Sequence, residues 1–167
     1  MAQPALFLLS GMPGAGKTTF AHALAARTGA EHVESDAIRR SLAAQPTYTA
    51  KESGRVFAIV GRRVDTALAA GRNVIVDATN LTNRDRRQFV SAAAAYGARL
   101  IAIRVTAPED VIRERLGQPR VGHSQADVRV FELMRGRAQG FAMPAVVVDT
   151  RFGIDAAVSL AVTLAGA

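Results

Sequence analysis

At 167 residues and 49% hydrophobic composition, the chain is long enough to form one domain with a substantial core. It contains no cysteine, which excludes disulfide bonds and thiolate metal sites. The formal net charge of +7 favours anionic partners such as nucleotides, phosphorylated metabolites or nucleic acid, although a GC-rich genome, which favours arginine over lysine, would produce the same balance.

The sequence also bears on location and partners. It has no apolar stretch long enough to span a membrane, and no basic segment precedes the short apolar run near the N-terminus. We therefore expect a cytoplasmic protein without membrane contact, and no feature indicates an obligate protein partner.

The first predicted elements surround a glycine-rich loop. Residues 5–9 form an apolar run typical of a buried parallel strand, and residues 19–27 read as a helix that ends at Gly29. Between them, residues 11–19 read GMPGAGKTT, which fits the phosphate-binding loop pattern G-x-x-x-x-G-K-[ST]. A plain glycine turn is the alternative, but the strand and the helix provide the setting that the motif requires.

Each part of this loop has a physical role in binding polyphosphate. Glycines let backbone N–H groups approach phosphate oxygens, and the following helix directs its free N–H groups at the anion. Lys17 would reach the β- and γ-phosphates of ATP, and the Thr18 hydroxyl would bind Mg²⁺. The predicted nucleotide-binding residues are Gly11, Pro13, Gly14, Ala15, Gly16, Lys17, Thr18 and Thr19.

The next elements continue the alternation of strand and helix. Residues 31–36 predict a second strand ending at Asp36, which we expect to be the N-cap of the following helix. Residues 49–52 form a capping-box pattern that begins a long helix ending at Gly71. Residues 73–77 predict a third strand, and a helix after residues 80–83 carries Arg84, Arg86 and Arg87 and ends at Gly97.

The last part of the chain carries a predicted lid. Residues 99–105 predict a fourth strand, and a second capping box at 106–109 begins a helix over 110–116. A polar loop over 117–123 and a third cap at 124–127 precede a helix ending near Gly140. Two helices flanking a polar loop indicate a closing lid over roughly 109–128. A strand over 145–149 and a helix over 154–164 complete the domain of 1–167.

Alternating apolar strands and helices predict a parallel sheet covered on both faces, a three-layer α/β sandwich. Ligands bind beyond the carboxyl ends of such strands. Polar or glycine residues stand at those predicted ends: Gly11, Asp36, Asp77, Thr106 and Asp149.

These residues suggest a chemistry of phosphoryl transfer. Asp77 could hold Mg²⁺-bound water or the Thr18 hydroxyl, or it could simply cap the next turn. Asp36 could act as general base toward an attacking hydroxyl, or only as a helix cap. Arg39 could bind a phosphate or an acid group of the acceptor, or pair with Asp36.

Four arginines in and beside the lid segment are candidates for stabilising the transferring phosphate: Arg113, Arg115, Arg120 and Arg129. A solvated basic face is the alternative for at least two of them. The three histidines do not cluster in sequence, so no metal-ligand spacing is present.

Four segments carry a family resemblance: GMPGAGKTT, ESDAIRR, VIVDATNLTNRDRR and RERLGQPR. Together they resemble the P-loop kinases that include the 5′-hydroxyl polynucleotide kinase domain. Zeta toxins, chloramphenicol phosphotransferase and small-metabolite kinases are more distant relatives. The resemblance spans roughly residues 5–150 and implies the strand order 2-3-1-4-5.

The resemblance also implies residue roles. Asp36 would be the base and Arg39 the contact to an acceptor phosphate. In that family two lid arginines stand four residues apart; Arg115 matches the first, whereas the second position holds Pro119, with Arg120 one place on.

We therefore expect an ATP- and Mg²⁺-dependent kinase that phosphorylates a hydroxyl. The acceptor is either a 5′-hydroxyl nucleic acid end or a small molecule such as a sugar, nucleoside or antibiotic. A non-catalytic nucleotide-binding or switch protein is the alternative, although the Asn-Lys-x-Asp motif of GTPase switches is absent.

Overall fold

The computed structural model describes residues 3–118 and 128–166, which form a parallel sheet between helices. The strands are β1 (Ala5–Ser10), β2 (Glu31–Glu34), β3 (Val74–Asp77), β4 (Arg99–Thr106) and β5 (Ala145–Asp149). The helices are α1 (Lys17–Thr28), α2 (Ser35–Leu42), α3 (Ala50–Ala69), α4 (Asn83–Ala95), α5 (Glu109–Gly117), α6 (Val128–Met134) and α7 (Asp155–Ala165).

The sheet has five parallel strands in the order β2-β3-β1-β4-β5, as predicted. β1 is central and buried along its whole length, which explains its continuous apolar sequence. Its alternate residues enter two separate core layers, one beneath α1 and α7 and one beneath α3 and α4. The predicted three-layer α/β architecture is therefore confirmed.

Two helix starts differ from the prediction. Glu34 still pairs with Asp77 as the last residue of β2, and α2 begins at Ser35, so Glu34 rather than Asp36 is the N-cap. The expected second capping box is also wrong: Thr106 belongs to β4, where it pairs with Asp149, and the N-cap of α5 is Pro108, which has no capping side chain.

Other boundaries need smaller corrections. Thr49 caps α3 by accepting a hydrogen bond from the Glu52 N–H. The Glu52 carboxylate accepts from the Thr47 N–H instead of the Thr49 N–H, so only half of that capping box forms. A complete capping box forms instead at Thr82 and Asp85, at the start of α4. The helix expected to end near Gly140 ends at Met134 and continues as a 3₁₀ turn over Arg135–Arg137. The third predicted cap, at Ser124, lies outside the described residues.

Within residues 3–118 and 128–166, no helix is both long and apolar enough to cross a membrane.

Candidate active site

The glycine-rich loop joins the end of β1 to the start of α1. Its first residue has to be glycine, because a Cβ on Gly11 would stand 2.3 Å from the carbonyl oxygen of Val105 on β4. At the other end Gly16 is the N-cap of α1 with φ 102°, a conformation that side chains rarely adopt. No acidic residue stands in the first turn of α1, which leaves this helix N-terminus suited to an anion.

Lys17 and Thr18, the first two residues of α1, have defined partners. The Lys17 ammonium donates to the carbonyl oxygen of Met12 at 3.0 Å, so the side chain folds back over the loop. The Thr18 hydroxyl donates to Asp77 Oδ2 at 2.9 Å. Asp77 ends β3 and is only 3% exposed.

The hydroxyl of Thr18 and the carboxylate of Asp77 are hard oxygen donors beside a phosphate loop. Mg²⁺ in nucleotide sites prefers this donor set, with one or two carboxylates and the remaining positions taken by phosphates and water. The residues therefore fit the ion that the sequence predicts here.

A cavity of about 270 Å³ opens beside the loop. Six of the predicted nucleotide-binding residues line it: Pro13, Gly14, Gly16, Lys17, Thr18 and Thr19. Asp36, Asp77 and Arg115 also line it, so the structure brings together predicted residues from four separate segments. Gly11 and Ala15 instead line a smaller cavity of about 160 Å³ between the loop and residues of β4, α5 and α6.

Asp36 lies in the first turn of α2 rather than at the end of a strand. It lines the cavity together with its neighbours Glu34 and Ser35. The predicted capping role is therefore wrong, while the predicted position beside the phosphate loop is correct. A carboxylate in the first helical turn is also favoured by the helix dipole.

Arg39 reaches from α2 to the start of α3. Its Nη1 donates to Glu52 Oε1 at 2.5 Å, and its guanidinium lies 4.6 Å from the centre of the Tyr48 ring. Arg39 is only 6% exposed. Arg39 and Glu52 thus form an ion pair in which the two side chains are 7% and 12% exposed.

Glu52 is held on both oxygens. Thr47 donates to Oε2 through its backbone N–H at 2.7 Å and its hydroxyl at 2.6 Å. Burial alone would raise the pKa of the Glu52 carboxyl, but the hydrogen bonds from Thr47 and Arg39 and the charge of Arg39 together lower that pKa to about 2. Glu52 thereby ties the α2–α3 connection, including the cavity residue Tyr48, to the start of α3.

Arg115, in the last turn of α5, contacts the phosphate loop directly. Its Nη1 donates to the Thr150 hydroxyl at 2.8 Å and to the carbonyl oxygens of Gly14 and Ala15 at 3.3 and 3.4 Å. Thr150 in turn donates to the Ala15 carbonyl at 2.8 Å. Arg120, a second of the predicted lid arginines, lies outside the described residues.

The segment after β3 is fixed by a buried arginine. Arg86 on α4 is 3% exposed and donates to four carbonyl oxygens, those of Asn80, Leu81, Gln139 and Gly140, at 2.6 to 3.1 Å. Asn80 adopts φ 44°, and its side-chain amide donates to the Leu9 carbonyl of β1. These bonds hold the turn that follows Asp77 against the end of β1.

A family model described as an AAA domain matches residues 6–141. The chain belongs to this AAA domain family. Among curated proteins, an uncharacterized protein of Mycobacterium tuberculosis strain H37Rv is 27% identical over 144 residues. The match covers 79% of this chain and 29% of that relative, so the chain spans less than a third of the relative's length.

Solved structures of kinases share the fold. A gluconokinase from Sinorhizobium meliloti is 18% identical, with a TM-score of 0.73 over 99% of this chain and 94% of its own. The Mycobacterium tuberculosis APS kinase CysC, solved with AMPPNP and APS, is 15% identical, with a TM-score of 0.74 over 100% of both chains. This AAA domain therefore has the fold of P-loop kinases.

Sequence reasoning missed three residues at the site. His32 lies 2.9 Å from Asp77, Glu52 holds Arg39, and Thr150 fixes Arg115. The position of His32 could be predicted from the strand order, because β2 lies beside β3 and His32 and Asp77 then occupy the same face of adjacent strands. Glu52 and Thr150 are brought to the site by packing between elements, which no local spacing reveals.

Proposed function

We propose that this protein is an ATP- and Mg²⁺-dependent phosphotransferase that transfers the γ-phosphate to a hydroxyl of a small molecule. The observation that carries the proposal is that the phosphate loop, the Thr18–Asp77 pair and Asp36 line one cavity. The fold of a gluconokinase and of an APS kinase solved with an ATP analogue supports a kinase that uses ATP.

Each residue of the site has a separate role in the proposed phosphoryl transfer. The acceptor oxygen attacks the γ-phosphorus, the bond from that phosphorus to its bridging oxygen breaks, and ADP leaves. The Asp36 carboxylate takes the hydroxyl proton as general base. Lys17, the start of α1 and Arg115 stabilise negative charge on the phosphate oxygens, and we assign Arg120 the same role.

Thr18 and Asp77 are the residues that would hold Mg²⁺. When bound, the ion would neutralise phosphate charge and fix the orientation of the phosphates. Asp77 is buried and already bonded to the Thr18 hydroxyl, so the two donors are held together in advance.

Arg39 favours a small acceptor without a phosphate group. An acceptor phosphate would have to displace Glu52, whose carboxylate already receives hydrogen bonds from Arg39 and Thr47. The junction of β2 and α2 instead contributes Glu34, Ser35 and Asp36 to the cavity lining. Carboxylate and hydroxyl oxygens bind the hydroxyl groups of a sugar, a polyol or a nucleoside. A cavity of about 270 Å³ also has the size of a small-molecule site.

A nucleic acid 5′-hydroxyl is the second candidate acceptor. The net charge of +7 favours it, as does the spacing of Asp36 and Arg39. A nucleotide-binding protein that transfers no phosphate is the remaining alternative.

The test uses γ-labelled ATP with two sets of acceptors: sugars, polyols and nucleosides in one, and 5′-hydroxyl oligonucleotides in the other. Lys17→Ala is the control, because losing its charge should lower turnover by at least ~10²-fold. We expect label in a small phosphomonoester with the wild type and almost none with the variant. Preferential labelling of oligonucleotides would favour the second candidate, and tight ATP binding without transfer to any acceptor would contradict a kinase.

A further inference from the structure

His32 lies beside the carboxylate that ends β3. Its Nε2 is 2.9 Å from Asp77 Oδ2, the same oxygen that accepts the Thr18 hydroxyl at 2.9 Å. The parallel register pairs His32 with Ile75, so Asp77, two residues further along β3, projects from the same face of the sheet. The phosphate-loop motif itself does not require a histidine at this position.

The direction of this hydrogen bond follows from the chemistry of its partners. An ionised carboxylate only accepts, so His32 Nε2 carries the hydrogen. The two side chains are 16% and 3% exposed, so water competes little with the bond. The ring of His22 on α1 packs edge-on against the His32 ring, with centroids 5.1 Å apart and an angle of 87°, and this contact restricts rotation of the His32 ring.

Two donors on one carboxylate oxygen fix the orientation of the whole group. With Asp77 held by His32, the Thr18 hydroxyl points its hydrogen at Oδ2 and keeps its oxygen lone pairs for a cation. Without His32, the Asp77 carboxylate could rotate, and the Thr18 hydroxyl would lose its fixed acceptor. Removing a residue that is hydrogen-bonded to a metal ligand commonly lowers metal affinity by ~10- to 100-fold.

We propose that His32 is a positioning residue for the metal–nucleotide complex, acting through Asp77 on Thr18. The proposal rests on the assignment of Mg²⁺ to Thr18 and Asp77 under the proposed function. It assigns His32 no contact with nucleotide or acceptor. Its loss should therefore weaken binding of the Mg²⁺ complex while leaving binding of metal-free nucleotide unchanged.

The experiment compares His32→Leu, which fills the space without a donor, with His32→Gln, which retains an N–H donor. His22→Leu is the matched control, because His22 contacts His32 but not Asp77. Affinity for a non-hydrolysable ATP analogue is measured by calorimetry with Mg²⁺ and with EDTA, and thermal unfolding confirms that each variant is folded. We expect His32→Leu to weaken the Mg²⁺-dependent affinity by ~10-fold or more. His32→Gln should recover most of this loss, His22→Leu should show a smaller effect, and the affinity in EDTA should be the same for all.

Equal losses with Mg²⁺ and with EDTA would overturn the proposal, because His32 would then act through packing. A His32→Gln variant as weak as His32→Leu would also overturn it, as would a His32→Leu variant with unchanged Mg²⁺ dependence. The readout is binding alone, so it is independent of the acceptor. A wild type that binds the Mg²⁺ complex tightly but transfers no phosphate would contradict the proposed function and leave the assignment of His32 standing.

Discussion

Under the proposed function, replacing Asp36 should separate phosphoryl transfer from nucleotide binding. It lies in the first turn of α2, where asparagine should cost the helix only about 0.3 to 1 kcal/mol. Asp36→Asn should therefore fold and bind ATP like the wild type, while transfer to the acceptor should fall by ~10²-fold or more, because the proposed general base is lost. The measurements are ATP affinity and the single-turnover rate of transfer.

Asp65→Asn on the exposed face of α3 is a matched control for Asp36→Asn and should change neither quantity. A normal transfer rate in Asp36→Asn would mean that the base lies elsewhere. A parallel loss of ATP binding and transfer would instead place Asp36 in the metal site and contradict the division of roles between Asp36 and Asp77.

Arg86 stabilises the fold, a role that the neighbouring sequence does not indicate. Its guanidinium donates to four carbonyl oxygens, through two buried and two partly buried hydrogen bonds, and Arg86→Met would leave these oxygens without their donors. We expect a loss of about 3 kcal/mol in the free energy of unfolding, measured with urea. Arg87→Met, on the exposed side of the same helix, should change stability by less than about 0.5 kcal/mol. Similar small effects in both variants would show that water satisfies these carbonyls when Arg86 is absent.

Among the elements, α2 and α3 meet at a junction whose stability should depend on pH through Glu52. The pKa of Glu52 is about 2 in the folded protein, below the usual 4.5, so the unfolded chain takes up this proton first as pH falls. The stability from this group is complete above pH 4.5 and disappears as pH falls toward about 2. Glu52→Gln removes the group that titrates.

We expect Glu52→Gln to be less stable than the wild type near neutral pH, with the difference shrinking as pH falls below 4.5. Melting temperatures measured across this range check the expectation. A difference between the two proteins that stays constant with pH would mean that Glu52 stabilises the junction by packing rather than by its charge.

At the scale of the whole molecule, the sequence was sufficient for the architecture and the phosphate loop. Buried parallel strands have continuous apolar sequences. In the loop, a Cβ on Gly11 would clash with the Val105 carbonyl, and Gly16 has a positive φ that other residues rarely adopt. The strand order came from the family resemblance rather than from periodicity. The alternation of strands and helices, together with the motif, thus placed Lys17, Thr18 and Asp77 near the carboxyl ends of the strands.

The errors arose where packing between elements overrides local spacing. Thr106 fits a capping pattern, but its pairing with Asp149 keeps it in β4. Aspartate is a typical N-cap residue, but β2 ends at Glu34 and α2 begins at Ser35, so Asp36 already lies inside the helix. The partner of Arg39 lies 13 residues away on another helix, and only the folded arrangement of α2 against α3 brings Glu52 to it.

The proposed function is transfer of the γ-phosphate of ATP to a hydroxyl group of a small molecule. The most direct measurement incubates the wild type with γ-¹⁸O-labelled ATP, Mg²⁺ and a small-metabolite extract, and follows labelled products by mass spectrometry. We expect a labelled small phosphomonoester that is formed by the wild type and is nearly absent with Lys17→Ala and with Asp36→Asn. Label found only in inorganic phosphate, or a product formed equally well by the Lys17→Ala variant, would contradict this function.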